Sequence, residues 1–126
     1  MTQRWTAPAV PANIARLRNA VGTYAQDAGL SRDRAADVCL AVSEALTNAV
    51  VHAYREGDEG EVEVSARTQA GRIEVKVQDR GRGVRPRPDS PGMGMGLPMI
   101  AALATESDIS ARQGGGTVVT MRFALA

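Results

Sequence analysis

A chain of 126 residues with 44% hydrophobic and 23% charged side chains has the size and balance of one globular domain. Burying roughly two-thirds of its unfolded surface requires no covalent staple. A formal net charge of +1 gives no bulk attraction to nucleic acid or to a membrane surface. No stretch approaches the roughly 20 apolar residues of a membrane span, and Met1–Ala12 lacks an apolar core long enough for a secretory signal. The single cysteine, Cys39, cannot close an internal disulfide and lies in an apolar helical segment. The expectation is a cytoplasmic protein with a buried thiol and neither a nucleic-acid nor a membrane partner.

In chain order, Arg4–Val10 reads as an edge strand that Pro11 ends. From Pro11 to Ala28 the apolar residues Ile14, Leu17, Val21 and Tyr24 recur every three or four positions, which predicts a helix. Gly29 suits the position just past it. Ser31 is a good N-cap for the next helix, and Asp33 adds a favourable charge to its first turn. That second helix is predicted to reach Ala53 or Tyr54, where Glu56-Gly-Asp-Glu-Gly60 breaks it. Glu61–Arg67 and Arg72–Asp79 alternate apolar with polar residues and are separated by the turn signal Gln69-Ala-Gly71, a hairpin pattern. Gly81–Gly96 has no periodicity and reads as a loop. A short apolar helix over Leu97–Ala104 follows, then alternating strands over Ser107–Arg112 and Thr117–Leu125. The order β-α-α-β-β-loop-α-β-β, with one polar face on the later strands, predicts an α/β fold. It is a two-layer α/β sandwich in which a mixed, mostly antiparallel sheet carries helices on one face.

The second helix is apolar nearly all round, with Val38, Leu40, Ala41, Val42, Ala45, Leu46, Ala49 and Val50, and such a helix is expected to be buried. Glu44, Asn48 and His52 nevertheless recur at four-residue spacing and stack on one face, with Thr47 beside them. Two readings stand here. One is a solvated stripe or a satisfied structural network. The other is a site in which the neutral Asn48 carbonyl takes a hard cation such as Mg²⁺ and the Glu44 carboxylate, one turn away, orients or deprotonates a nucleophile. His52 reads as a hydrogen-bonding residue at the helix end.

Asp79 continues the register of Ile73, Val75 and Val77, so alternation points it inward. A turn aspartate before glycine is the plain reading. The alternative is an acceptor for a flat ligand resting against Gly81 and Gly83. The exocyclic amine of adenine would donate to it, whereas guanine presents an acceptor at that position and would be repelled. Gly92, Gly94 and Gly96 alternate just before a helix, where backbone N–H groups can converge on an anion. A dinucleotide-binding turn does not fit, because this loop follows a hairpin. A P-loop does not fit, because no Gly-Lys-Ser/Thr is present. Gly114–Gly116 reads as a hairpin turn or as a phosphate contact, with the Thr117 hydroxyl in reach.

Taken together, Glu44-Ala-Leu-Thr-Asn48, Asp79-Arg-Gly-Arg-Gly83, Gly92-Met-Gly-Met-Gly96 and Gly114-Gly-Gly-Thr117 resemble four signature boxes. These belong to the ATPase/kinase superfamily that includes gyrase B, histidine kinases and MutL. Within it, Ser43-Glu-Ala-Leu-Thr-Asn-Ala-Val-Val-His-Ala-Tyr54 closely resembles the anti-sigma-factor serine kinases of bacteria, and the likeness runs from about Ala7 to the C-terminus. The resemblance implies a Bergerat-type ATP fold with ATP and Mg²⁺ as cofactors. It gives Asn48 the metal, Glu44 the role of general base toward a serine or threonine hydroxyl, and Asp79 the adenine amine. Gly81, Gly83, Gly92, Gly94, Gly96 and Leu97 line the base and phosphates, and Thr117 supports the site. The partners it implies are a small anti-sigma antagonist as phosphoacceptor, a sigma factor and a second copy of the chain. The segment between Gly83 and Gly92 is briefer than the lid of many relatives, and Arg85 and Arg87 are placed to cover phosphates. Two functions are carried forward: a protein serine/threonine kinase, and a nucleotide-gated binding switch without kinase turnover.

Overall fold

The computed structural model describes residues 2–52, 60–81 and 96–125. Its elements are β1 (Thr2–Pro8), α1 (Ala12–Asp27), α2 (Arg32–His52), β2 (Glu61–Gln69), β3 (Arg72–Asp79), α3 (Gly96–Leu103), β4 (Glu106–Ala111) and β5 (Thr117–Ala124). The strands form one sheet in the order β1-β2-β3-β5-β4, with every neighbouring pair antiparallel. The helices and strands come in the predicted order, and the predicted loop over Gly81–Gly96 lies mostly outside the described residues. The first strand runs from Thr2 to Pro8, two residues earlier than its alternation suggests, because its partner β2 extends to Arg67 opposite Thr2. Among the described residues no helix is long and apolar enough to cross a membrane.

One face of the sheet is apolar and covered by helices. Val62, Val64, Ile73, Val75 and Met121 meet Val21, Val38, Val42, Leu46 and Ile100 in a single buried cluster. Among the described residues no further layer covers the outer side of the helices, as in a two-layer architecture. That corrects the expectation of a helix buried all round: on α2, Leu40 is 46% exposed and Val51 is 56% exposed.

Local chemistry fixes where the helices start and stop. Gly29, at φ +117°, takes the position after the α1 C-cap, while its N–H reaches the Gln26 carbonyl and that of Leu30 reaches Ala25. This is the glycine-terminated Schellman arrangement. The Ser31 hydroxyl accepts the Arg34 N–H at 3.2 Å and caps α2, as its residue type predicts. Between β2 and β3, Ala70 and Gly71 both have positive φ, 54° and 74°, in a two-residue turn that sets Gln69 opposite Arg72.

The other face of the sheet is a ladder of charge. Glu74 on β3 takes Arg67 of β2 and Arg122 of β5, each at 2.9 Å. Arg122 also reaches Glu106 of β4 at 3.4 Å, and Glu106 takes Arg72 at 2.9 Å. Alternating signs across four strands oppose any slip of register.

Candidate functional site

Helix α2 is oriented by two contacts. On one flank Cys39 meets α1: its thiol donates to the Arg18 carbonyl at 3.7 Å, and a Cβ at Gly22 would lie 2.6 Å from its sulfur. Asn48 follows nine residues later, which at about 100° per residue turns it roughly 180° from Cys39. Glu44 lies between, about 140° from Cys39 by the same count. Both are half-buried and lie on the side of α2 away from α1. At its start, α2 is tied to the sheet by the Arg34 guanidinium, which donates to the Ala124 carbonyl. Ala124 pairs with Arg72, and seven residues along β5 Thr117 pairs with Asp79. Arg34 to Asn48 spans about 21 Å of helix, and Ala124 to Thr117 about 23 Å of strand. The two spans are of similar length, and Glu44 lies one helical turn before Asn48. The chain leaving α2 re-enters the sheet at the end where Val62 pairs with Asp79.

Helix α3 is tied at the opposite end, where the Thr105 N–H just beyond it reaches the Arg122 carbonyl. Gly96 and Leu97 open this helix at its other end. Gly83, Gly92 and Gly94, with Arg85 and Arg87 between them, fall outside the described residues, as do Ala53 and Tyr54.

Asp79 lies on the helix-covered face, 5% exposed, as alternation requires. Its Oδ1 accepts the Gly81 N–H at 3.0 Å, and the Thr117 backbone N–H also donates to the carboxylate. Burial raises its pKa, and those two N–H groups and the Arg112 charge offset the rise only in part. The plain turn reading and the inward reading are thus both partly right: the side chain closes a local turn and faces the interior. An ionised carboxylate has about four lone-pair sites, so two backbone donors leave acceptor capacity for a ligand.

Thr117 sits opposite Asp79, 2% exposed. The residue before it, Gly116, is the glycine of its turn that packs against the Asp79 backbone. A Cβ there would lie 1.9 Å from the Asp79 carbonyl oxygen, and its φ is +102°. Spacing alone does not single out Gly116 among three consecutive glycines. Arg112 is likewise missed by sequence reasoning, since a lone arginine before a turn carries no signal until strand pairing sets it near Asp79.

Comparison with known proteins gives these positions a context. The chain matches the histidine kinase-like ATPase domain over residues 7–123. It belongs to that family. It is 40% identical over 68 residues to the serine-protein kinase RsbW of Bacillus subtilis, an alignment covering 54% of this chain and 42% of that protein. It is 38% identical over 69 residues to RsbW of Listeria monocytogenes, covering 55% and 44%. The aligned part thus spans less than half the length of these relatives. Among solved structures, the RsbU and RsbW domains of a Mycobacterium tuberculosis protein superpose with a TM-score of 0.75 at 24% identity, covering 98% of this chain and 32% of that one. A blue-light-activated histidine kinase of Erythrobacter litoralis gives 0.66 at 26% identity, covering 92% and 42%. The fold is that of these ATPase domains, and ATP is the ligand their chemistry uses.

The donor set fits such a ligand. Among the described residues no group of three His, Cys, Asp or Glu side chains gathers as a self-sufficient metal cage. A single amide oxygen at Asn48 suits Mg²⁺, which keeps phosphate and water oxygens for its other positions. A buried acid that retains acceptor capacity suits a base carrying an amino group.

Proposed function

We propose that this domain is an ATP-dependent serine/threonine protein kinase of the anti-sigma type. It would phosphorylate a small anti-sigma antagonist protein and bind a sigma factor in the alternate state. What supports the reading is the half-buried Glu44 one helical turn before Asn48 on the flank of α2 turned from α1, together with the buried Asp79 on the sheet face that the helices cover. A domain that only holds nucleotide has no use for a carboxylate beside the metal.

When bound, Mg-ATP supplies the γ-phosphoryl group and a divalent charge that neutralises the phosphates. The protein's share is positioning and proton transfer, which is what phosphoryl transfer asks of it. The Asn48 amide oxygen would hold the metal. The Asp79 carboxylate accepts the adenine amino N–H and repels the guanine carbonyl. On this reading Gly81 would lie beside the ring, and Gly92, Gly94 and Gly96 would offer backbone N–H groups to the phosphates. The Glu44 carboxylate accepts the proton of the incoming serine or threonine hydroxyl.

Incubation with labelled ATP and the antagonist protein tests this. Label transfer from the wild-type chain that falls by about 10²–10⁴-fold in Glu44→Gln, with ATP affinity retained, is the expected result. Transfer at the native rate in that variant removes Glu44 from the base role. Tight ATP binding with no transfer by the wild-type chain selects the nucleotide-gated switch instead.

A further inference from the structure

The turn joining β4 and β5 is unusual in its backbone. Gly114, Gly115 and Gly116 all have positive φ, 90°, 112° and 102°. Three successive residues of this kind lose more conformational freedom on ordering than any others would, so the turn depends on what ties it down. Two backbone bonds close it, Arg112 N–H to the Gly116 carbonyl at 2.9 Å and Gly115 N–H to the Arg112 carbonyl at 3.0 Å. The Arg112 guanidinium then folds back over it, donating from one nitrogen to the Gln113 carbonyl at 3.3 Å and the Gly115 carbonyl at 3.4 Å. The far side of the turn presses on Asp79, since Gly116 approaches the Asp79 and Arg80 backbone too closely for any Cβ, and the next N–H, that of Thr117, donates to the Asp79 carboxylate.

We propose that Arg112 is a positioning residue of the nucleotide site: it holds the β4–β5 glycine turn and, through Gly116 and Thr117, sets the Asp79 carboxylate for the base. The inference rests on the reading of Asp79 as the acceptor for adenine. Arg112 also helps line a depression of about 160 Å³ with Thr6, Glu61, Glu63, Gln78 and Arg80. Arg112 thus stands beside Glu61, Glu63 and the like-charged Arg80 on the open side of the sheet, and only part of its charge acts on Asp79 on the covered side. The shared charge limits the expected effect to a modest factor. Because the action is at the base and not at the phosphates, the effect is independent of how many phosphates the ligand carries.

The test measures binding of adenosine, ADP and Mg-ATP by calorimetry to wild type, Arg112→Met, Arg112→Lys, Asp79→Asn and the Arg112→Met/Asp79→Asn pair, with thermal melting as a control for folding. Arg112→Met is expected to weaken all three ligands by the same factor, about three- to tenfold, and Arg112→Lys to recover part of it. In the Asp79→Asn background the same substitution should have under about twofold effect, the non-additivity expected of residues acting as one unit. Three results overturn the proposal: a loss that grows with phosphate number, full additivity with Asp79→Asn, or affinities unchanged by Arg112→Met. If Asp79→Asn weakens every ligand while Arg112→Met does not, the positioning role alone fails. If Asp79→Asn leaves adenosine binding untouched, the base-pocket reading fails and the positioning role fails with it.

Discussion

Strand β3 carries two buried acids five residues apart, and their surroundings are opposite. Glu74, 7% exposed, lies on the open face of the sheet among Arg67, Arg122 and Lys76. Burial pushes its pKa up. Hydrogen bonds from Arg122 and Arg67 and the charges of Arg67 and Lys76 outweigh that and hold it below the usual glutamate value. Asp79 lies on the covered face with two backbone N–H groups at its carboxylate, and burial leaves its pKa raised. Glu74 has cations enough to satisfy its charge and belongs to the architecture. Asp79 is buried at a net electrostatic cost, which on the proposed reading a ligand's donor would offset. An acid's partners, more than its burial, separate a structural from a binding role.

The sharpest way to break this comparison is to neutralise Asp79. With the acceptor removed in Asp79→Ala, ATP affinity is expected to fall by about 1.5–3 kcal/mol, or roughly 10- to 150-fold. The isosteric Asp79→Asn should lose affinity as well and yet melt at a higher temperature at neutral pH. The sign follows from the raised pKa: the charged form is disfavoured by folding, so the penalty is fully present above the folded pKa. It disappears as pH falls below the ordinary aspartate value, because the wild-type carboxyl is then protonated in both states. The stability gained by Asp79→Asn should shrink over that window. Nucleotide titrations and melting curves between neutral and acid pH check both halves. A variant that loses stability at neutral pH while keeping affinity would make Asp79 a second Glu74.

Much of this contrast was legible in the sequence, and the part that was not has a physical cause. Strict alternation in Arg72–Asp79 put Asp79 on the apolar face, and the structure finds it there. Glu74 falls on the opposite face, and alternation gives no hint of its burial. That burial needs Arg67 and Arg122 side by side with it, which only the register of three strands supplies. Caps and turns at Gly29, Ser31 and Ala70-Gly71 are local chemistry and were readable. Gly116 and Arg112 matter through residues more than thirty positions away and were not. The apolar run of α2 suggested a buried helix, yet composition alone does not reveal that a two-layer fold leaves Leu40 and Val51 outside. The four-residue spacing of Glu44 and Asn48 did survive, because helical periodicity fixes which residues share a flank whatever covers them.

Substituting the structural acid sharpens the comparison from the other side. Glu74→Gln leaves Arg67 and Arg122 without their common counter-charge. Since both arginines are partly exposed, water recovers some of the loss, and the expected destabilisation is about 1–3 kcal/mol. ATP affinity should be unchanged. A lowered folded-state pKa means that the Glu74 contribution is present above the unfolded glutamate pKa and is lost as pH falls through the lower folded value. The stability gap between wild type and variant should therefore close only in strong acid, below the usual carboxylate range. Urea denaturation at neutral pH and in that acid range measures the gap. A change in nucleotide affinity of more than about twofold would show that the charge ladder reaches the site and would weaken the division drawn here.

The smallest expected effect lies at the far end of the same hairpin. Ala70 holds a φ of 54°, in the left-handed region where a Cβ crowds the backbone, while its neighbour Gly71 adopts the same sign without penalty. Replacing Ala70 by glycine removes that crowding, worth about 1–2 kcal/mol. It also raises the entropy lost on folding by roughly 0.5–1 kcal/mol. The crowding term wins, so Ala70→Gly should stabilise the domain by about 0.5–1 kcal/mol. An increase in the urea midpoint with an unchanged slope is the signature. Because the turn joins the Arg72 end of β3, opposite to Asp79, affinity for ATP and the effect of Asp79→Asn should both be untouched. If Ala70→Gly instead shifts nucleotide binding, the two ends of β3 are mechanically coupled, and stability and recognition cannot be apportioned between its two acids.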